Sequence, residues 1–200
     1  MSFFARFAQN RGALIGLIIL VTIILMAITA PLFFPESPWR MVQRPFLPPL
    51  EVDGFPLGTD TMGRNVAAGL MHGAWVSLLI GLVSTLVALM IGVPLGAVAG
   101  YYGGLIDDAL MRFTEFFQTI PNFALAIVLV AIMQPSVTSI VVAIALVSWP
   151  PVARLVRAEF MSLRHREYVE AARLVGQSNR TIILRQILPT PCRRSSCWPR

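Results

Sequence analysis

Long uncharged stretches alternating with short polar ones give this chain its outline. From Ala13 to Phe34 the sequence ALIGLIILVTIILMAITAPLFF carries no charge. Crossing about 30 Å of hydrocarbon at about 1.5 Å per residue takes roughly 20 apolar residues in a helix. The stretch meets that length, is too long for the apolar core of a secretory signal and lacks a convincing cleavage site, so it predicts an uncleaved span. Further runs predict spans from about Trp75 to Gly100, from near Asp107 to about Met133, and from about Ser136 to Val156. The expected fold is all-α, a polytopic membrane protein with four transmembrane helices.

Within these runs the polar and small residues are placed with regularity. Gly73, Ser77 and Gly81, then Gly92, Gly96 and Gly100, recur at four-residue steps. Small residues at that spacing let helices approach closely in lipid, so these six positions are candidate packing sites. Asp107 and Asp108 suit the N-terminus of the third helix, where the helix dipole favours negative charge. Pro94 and Pro121 each remove a backbone donor inside a span and should kink or loosen it.

Charge adds orientation. Residues 154–200 hold ten Arg against three acids, and Arg6 and Arg11 stand before the first span with no acid. Positive segments are retained in the cytoplasm, so both ends are expected there, which an even number of spans allows. Residues 35–72, with three Arg and four acids, then lie outside. A composition 56% hydrophobic and 13% charged, with net charge +6 gathered near the C-terminus, points to topology and anionic lipid rather than to nucleic acid.

Candidate chemistry is sparse. Cys192 and Cys197 are the only cysteines, and both fall in the last nine residues. They imply neither a disulfide framework nor a metal site, and His72 and His165 lie on opposite sides of the membrane in this topology. Asp107, Asp108, Arg112 and Glu115 raise the idea of an intramembrane relay, but their interfacial position and the i, i+4 spacing of Asp108 and Arg112 favour an ordinary helix start.

The strongest pattern is in residues 167–189, EYVEAARLVGQSNRTIILRQILP. Glu170-Ala171-Ala172, Gly176 and Leu188-Pro189 have the spacing of the cytoplasmic EAA loop, and so resemble the membrane subunits of ATP-binding cassette importers. Six fixed positions recur by chance on the order of 10⁻⁷ per starting point. Leu57-Gly58-Thr59-Asp60-Thr61-Met62-Gly63-Arg64-Asn65 is similar to the LGTDxxGRD signature of the dipeptide, oligopeptide and nickel permease family. Ser148-Trp149-Pro150 with Ala153-Arg154-Leu155-Val156-Arg157 resembles that family's fourth span and its exit. The likeness covers essentially residues 1–189. This chain departs from the family pattern at Asn65, Trp75 and Gln186, where Asp, often Arg, and Ile are usual.

Physical uses can be assigned within the loop. Ala171 and Ala172 would keep one side of a short helix thin enough to seat in a partner's cleft, with Tyr168 and Val175 as apolar contacts and Glu170 as an acceptor. Gly176 can take the left-handed conformation that stops the helix, Ser178 or Asn179 can cap the next, and Leu188 and Pro189 mark its end. The resemblance implies an organisation in which residues 1–34 are the cytoplasmic N-terminus and first span and 35–74 a periplasmic loop. Residues 75–189 would then be the permease core, with the coupling loop at 160–189. It further implies a bacterial inner-membrane permease subunit without catalysis of its own. Expected partners are a homologous second permease, cytoplasmic ATPases that bind the ATP and magnesium, a periplasmic substrate-binding protein and membrane lipid. No cofactor is expected in this chain, which has no GxxxxGK[ST] phosphate loop. Small peptides lead as substrates, with glutathione-like peptides, nickel chelates and opines as alternatives within the family. A proton- or sodium-coupled secondary transporter is the rival class, but the mid-membrane charge and symmetric broken helices it would call for are not visible.

Residues 190–200, TPCRRSSCWPR, depart from what precedes them. In a chain with sixteen Arg and no Lys, GC-rich codons allow a neighbouring frame to read ALPPLIVLAS, an apolar opening similar to the family's continuation. The expectation is a one-base deletion that shortens a permease of about six spans to four, and no transport from the chain as written.

Overall fold

The computed structural model describes residues 10–189, so the expectation for the tail, with Cys192 and Cys197, lies outside the described residues. Seven helices follow in order: α1 (Arg11–Phe33), α2 (Val66–Tyr102), α3 (Gly104–Thr119), α4 (Asn122–Met133), α5 (Val137–Leu163), α6 (Glu167–Leu174) and α7 (Asn179–Thr181). The last continues as a π-helical segment, Ile182–Ile187. Among the described residues there is no strand, only two isolated bridges in the loop before α2. The protein is an all-α polytopic membrane protein. Its α1, α2 and α5 are each long and apolar enough to cross a bilayer.

The expected third span is broken. Gly104–Thr119 and Asn122–Met133 meet at 77°, which makes four crossings only if the bent pair counts as one. The cause is local: Ile120 is extended, at φ −87° and ψ 131°, because the ring of Pro121 disfavours a helical residue before it, and Pro121 has no N–H to offer the preceding turn. Pro94, by contrast, is carried inside a continuous α2. At 37 residues α2 is about 55 Å long, so it extends well beyond the apolar run and takes in residues 66–74 of the expected loop.

The described residues form two compact units, divided within α2 after Gly81. In the first, the loop between α1 and α2 is built on the LGTDTMGRN stretch. Gly58 and Gly63 sit at φ +71° and +76°, and a side chain on either would collide with the backbone of Leu47 or Gln43. Thr59 Oγ1 accepts from Leu47 N and donates to the Arg44 carbonyl, at 2.9 and 2.7 Å. Asp60 Oδ1 accepts from the amides of Met62 and Arg64, at 2.8 and 2.9 Å. Those bonds hold its carboxyl below the usual 3.8, the Arg64 amide contributing most. Asn65 caps α2, its Oδ1 accepting from Ala67 N and Ala68 N. Beside this loop opens a cleft of about 510 Å³ lined by Trp39, Asp60, Arg64, His72 and Ser77 among others.

In the second unit, α2 and α5 pack backbone to backbone. A Cβ at Gly92 would lie 2.8 Å from the Val152 side chain, one at Gly96 would strike the Ala153 carbonyl, and one at Gly100 would lie 2.6 Å from the Arg157 carbonyl. Trp149 is buried on α5 and meets Phe113 and Phe117 of α3, with ring centroids 5.9 and 5.4 Å away. Gly73 and Gly81 of the same spacing meet nothing within 4 Å among the described residues.

Candidate functional site

The EAA stretch folds as two short helices joined by a tight turn. After α6, Gly176 takes φ +80°, its amide donates to the Arg173 carbonyl at 2.9 Å, and Gln177 N donates to the Ala172 carbonyl at 3.1 Å. That is the Schellman arrangement, which needs a left-handed residue just past the helix. Ser178 then caps α7, its Oγ accepting from Thr181 N at 3.4 Å. Asn179, the alternative cap, instead accepts a hydrogen bond from the Tyr101 hydroxyl at 2.8 Å.

The two alanines do not act together. Adjacent helical positions lie about 100° apart. Ala172 therefore faces inward, buried with Val169, Ile182 and Ile187 against Ala97 and Tyr101 of α2 and Phe160 and Leu163 of α5. Ala171 is on the exposed side, and the expected thin face made of both is corrected to one alanine each way. The outward surface carries Tyr168, Leu174 and Val175, the last two 88% and 80% exposed, with Glu170 also exposed. Leu188 and Pro189 are exposed at the end of the segment.

Gln186 and Ile187 find an explanation in the π-helical turn. In an α-helix Ile182 and Ile187 would point about 140° apart. The i→i+5 winding, seen in the Leu188 N to Ile183 O bond of 2.9 Å, brings both into the core. Gln186 is left to donate to Gln177 Oε1 at 3.3 Å, tying the segment back to the turn.

Several contacts of this site are absent from the sequence reading. Arg173 lies over the Tyr101 ring at 5.2 Å, and Arg164 Nη1 donates to the Gly100 carbonyl at 3.3 Å. Asp107, read above as part of a helix start, is 6% exposed and receives two bonds from Arg157, Nε to Oδ1 at 2.5 Å and Nη2 to Oδ2 at 2.6 Å. No Asp108–Arg112 ion pair forms among the described residues, and no group of three metal-ligating side chains occurs among them. The ends of α2 and α5 and the two short helices thus make one packed block whose outer surface carries Leu174 and Val175 among charged side chains such as Glu170 and Arg173.

Residues 92–190 match the family described as binding-protein-dependent transport system inner membrane component. Residues 2–49 match the N-terminal TM domain of oligopeptide transport permease C. The dipeptide transport system permease protein DppC of Haemophilus influenzae is 36% identical over 192 residues, which is 94% of this chain and 65% of that protein. The di/tripeptide transport system permease protein DppC of Pseudomonas aeruginosa is 39% identical over 193 residues, 94% and 63% of the two chains. The oligopeptide transport system permease protein OppC of Haemophilus influenzae is 37% identical over 188 residues, 92% and 60%. The chain spans 60–65% of the length of these three relatives.

Proposed function

This chain belongs to the inner-membrane components of binding-protein-dependent transport systems, and on that premise we propose that it serves as a permease subunit of an ATP-driven importer of short peptides. Its relatives' names supply the substrate class, since they are described as dipeptide, di/tripeptide and oligopeptide permeases. ATP hydrolysis belongs to cytoplasmic ATPase subunits. A second permease completes the pathway and a periplasmic binding protein delivers the peptide. Both described chain ends face the cytoplasm in this reading.

The observation that carries the proposal is the outward face of α6. Leu174 and Val175 project from a helix whose inner face is locked to α2 and α5 through Val169 and Ala172. Large apolar side chains on a rigid, solvent-facing turn fit a pocket on a partner better than they fit water. The sites assigned here to ATPase contact are Tyr168, Glu170, Ala171, Leu174 and Val175, while Ala172 and Gly176 shape the element that presents them.

Co-expression of the full chain with the importer's ATPase subunits tests this. The expected result is a detergent-stable complex that Leu174→Glu disrupts without changing the thermal stability of the chain. Absence of any ATPase in the purified membrane complex, with proton-driven uptake by the chain alone, would overturn the reading.

A further inference from the structure

We propose that Asp107 and Arg157 form a strut that makes α3, and with it the broken α3–α4 pair, move with α5 when the coupling element is displaced. The inference rests on the coupling role proposed above and adds the route by which displacement leaves the element. Arg157 stands at a junction of three helices. Its backbone carbonyl and Cα lie against Gly100 of α2, where even a methyl group would come within 2.6 Å of the carbonyl. One turn further along α5, Phe160 is buried in the cluster that holds Val169, Ala172, Ile182 and Ile187. The Arg157 side chain reaches Asp107 in the first turn of α3 with a two-pronged bond.

Geometry makes this link stiff. A guanidinium and a carboxylate joined through both oxygens fix orientation as well as distance, which a single hydrogen bond or a point charge does not. Asp107 is 6% exposed, so water cannot readily replace Arg157 as its partner. Phe113 and Phe117 on Trp149 also attach α3 to α5, by aromatic packing that resists separation but lets surfaces slide. The ion pair is thus the contact that converts sliding of α5 into displacement of α3. Asp107 and Arg157 are positioning residues in this scheme: they touch neither substrate nor nucleotide.

The test follows α3 and α5 separately in the importer assembled from the full chain and its partner subunits. With Cys192 and Cys197 replaced by serine, single cysteines are placed at Glu115 on α3 and at Ala158 on α5, and maleimide labelling rates are measured with and without ATP. In the parent both rates respond to ATP. In Asp107→Asn the Ala158→Cys response persists, while that at Glu115→Cys shrinks by about two- to thirtyfold, the range of a coupling contact. Exchange of the pair, Asp107→Arg with Arg157→Asp, restores the α3 response. Undiminished α3 response in Asp107→Asn overturns the strut. Loss of both responses with no recovery in the exchanged pair also overturns it, since the pair would then serve folding alone. Failure of the parent chain to capture the ATPases would remove the coupling role itself, and the strut with it.

Discussion

Replacing Gly100 by alanine isolates the close approach of α2 and α5 from every other property of the helix. A Cβ there would lie 2.6 Å from the Arg157 carbonyl oxygen, 2.7 Å from Phe160 Cβ and 3.2 Å from Arg157 Cα. Ordinary contact begins at 3.4 Å, so the nearest atom is 0.8 Å too close. None of the three atoms can rotate away, and the helices must part. Overpacking of this kind costs about 1–3 kcal/mol, and fixed neighbours place it toward the upper end. Alanine's better helix propensity returns about 1 kcal/mol, leaving a net loss of about 2 kcal/mol. Gly81→Ala is the matched control, because its Cβ meets nothing within 4 Å and only the propensity gain of about 1 kcal/mol remains. The two variants should therefore differ by about 3 kcal/mol, or about 6–12 °C in Tm for a chain of this size. Tryptophan fluorescence of the purified chain in detergent, followed through a thermal ramp, reads the difference. Melting temperatures within about 2 °C of each other would refute the argument that α2 and α5 meet through their backbones.

Three further outcomes are expected. Gly176→Val should cost about 1–2 kcal/mol from the left-handed backbone alone, since φ is +80° and no atom lies within 4 Å of the new Cβ, and in a version of the chain with its reading frame restored it should lower uptake per ATP hydrolysed by the assembled importer. Tyr101→Phe removes the hydroxyl bonded to Asn179 and should cost about 0.5–1.5 kcal/mol, seen as faster amide exchange in residues 178–187 with α2 exchange unchanged. Asp60 has a folded-state pKa below 3.8, so its contribution to the loop before α2 is present above that pH and is lost as pH falls through the lower folded value. Trp39 fluorescence between pH 5 and 2 should report this loosening, and Asp60→Asn should abolish the pH dependence.

The parts of this structure that were legible in the sequence are those governed by nearest neighbours along the chain. Apolar length set α1, α2 and α5, and Gly176 and Ser178 act within four residues of themselves, so their roles follow from local geometry. Pro121 was legible as a weak point, but the angle of the break depends on what packs against both halves. The Asp107–Arg157 pair spans fifty residues, and charge spacing drew attention instead to Asp108 and Arg112, four apart. The division of Ala171 from Ala172 needed the direction of the core. The π-helical turn needed knowledge that Ile182 and Ile187 must both be buried. Equal four-residue spacing likewise joined Gly73, Ser77 and Gly81 to Gly92, Gly96 and Gly100, although among the described residues Gly92, Gly96 and Gly100 meet α5 while Gly73 and Gly81 meet nothing within 4 Å.

The bend at Pro121 bears on how the protein is made. At 12 residues α4 is about 18 Å long, short of the roughly 30 Å of hydrocarbon, and it starts without a side-chain cap and ends at Gln134 in a left-handed conformation. Ser139 Oγ donates to the Met133 and Gln134 carbonyls at 3.4 and 2.6 Å, but the first-turn amides of α4, exposed to acyl chains, would stay unbonded at several kcal/mol apiece. During biogenesis such a half-helix can leave the insertion machinery only into a neighbouring protein surface or a hydrated cleft. A newly synthesised copy whose α4 had not yet met such a surface would therefore carry unpaired backbone groups inside the bilayer.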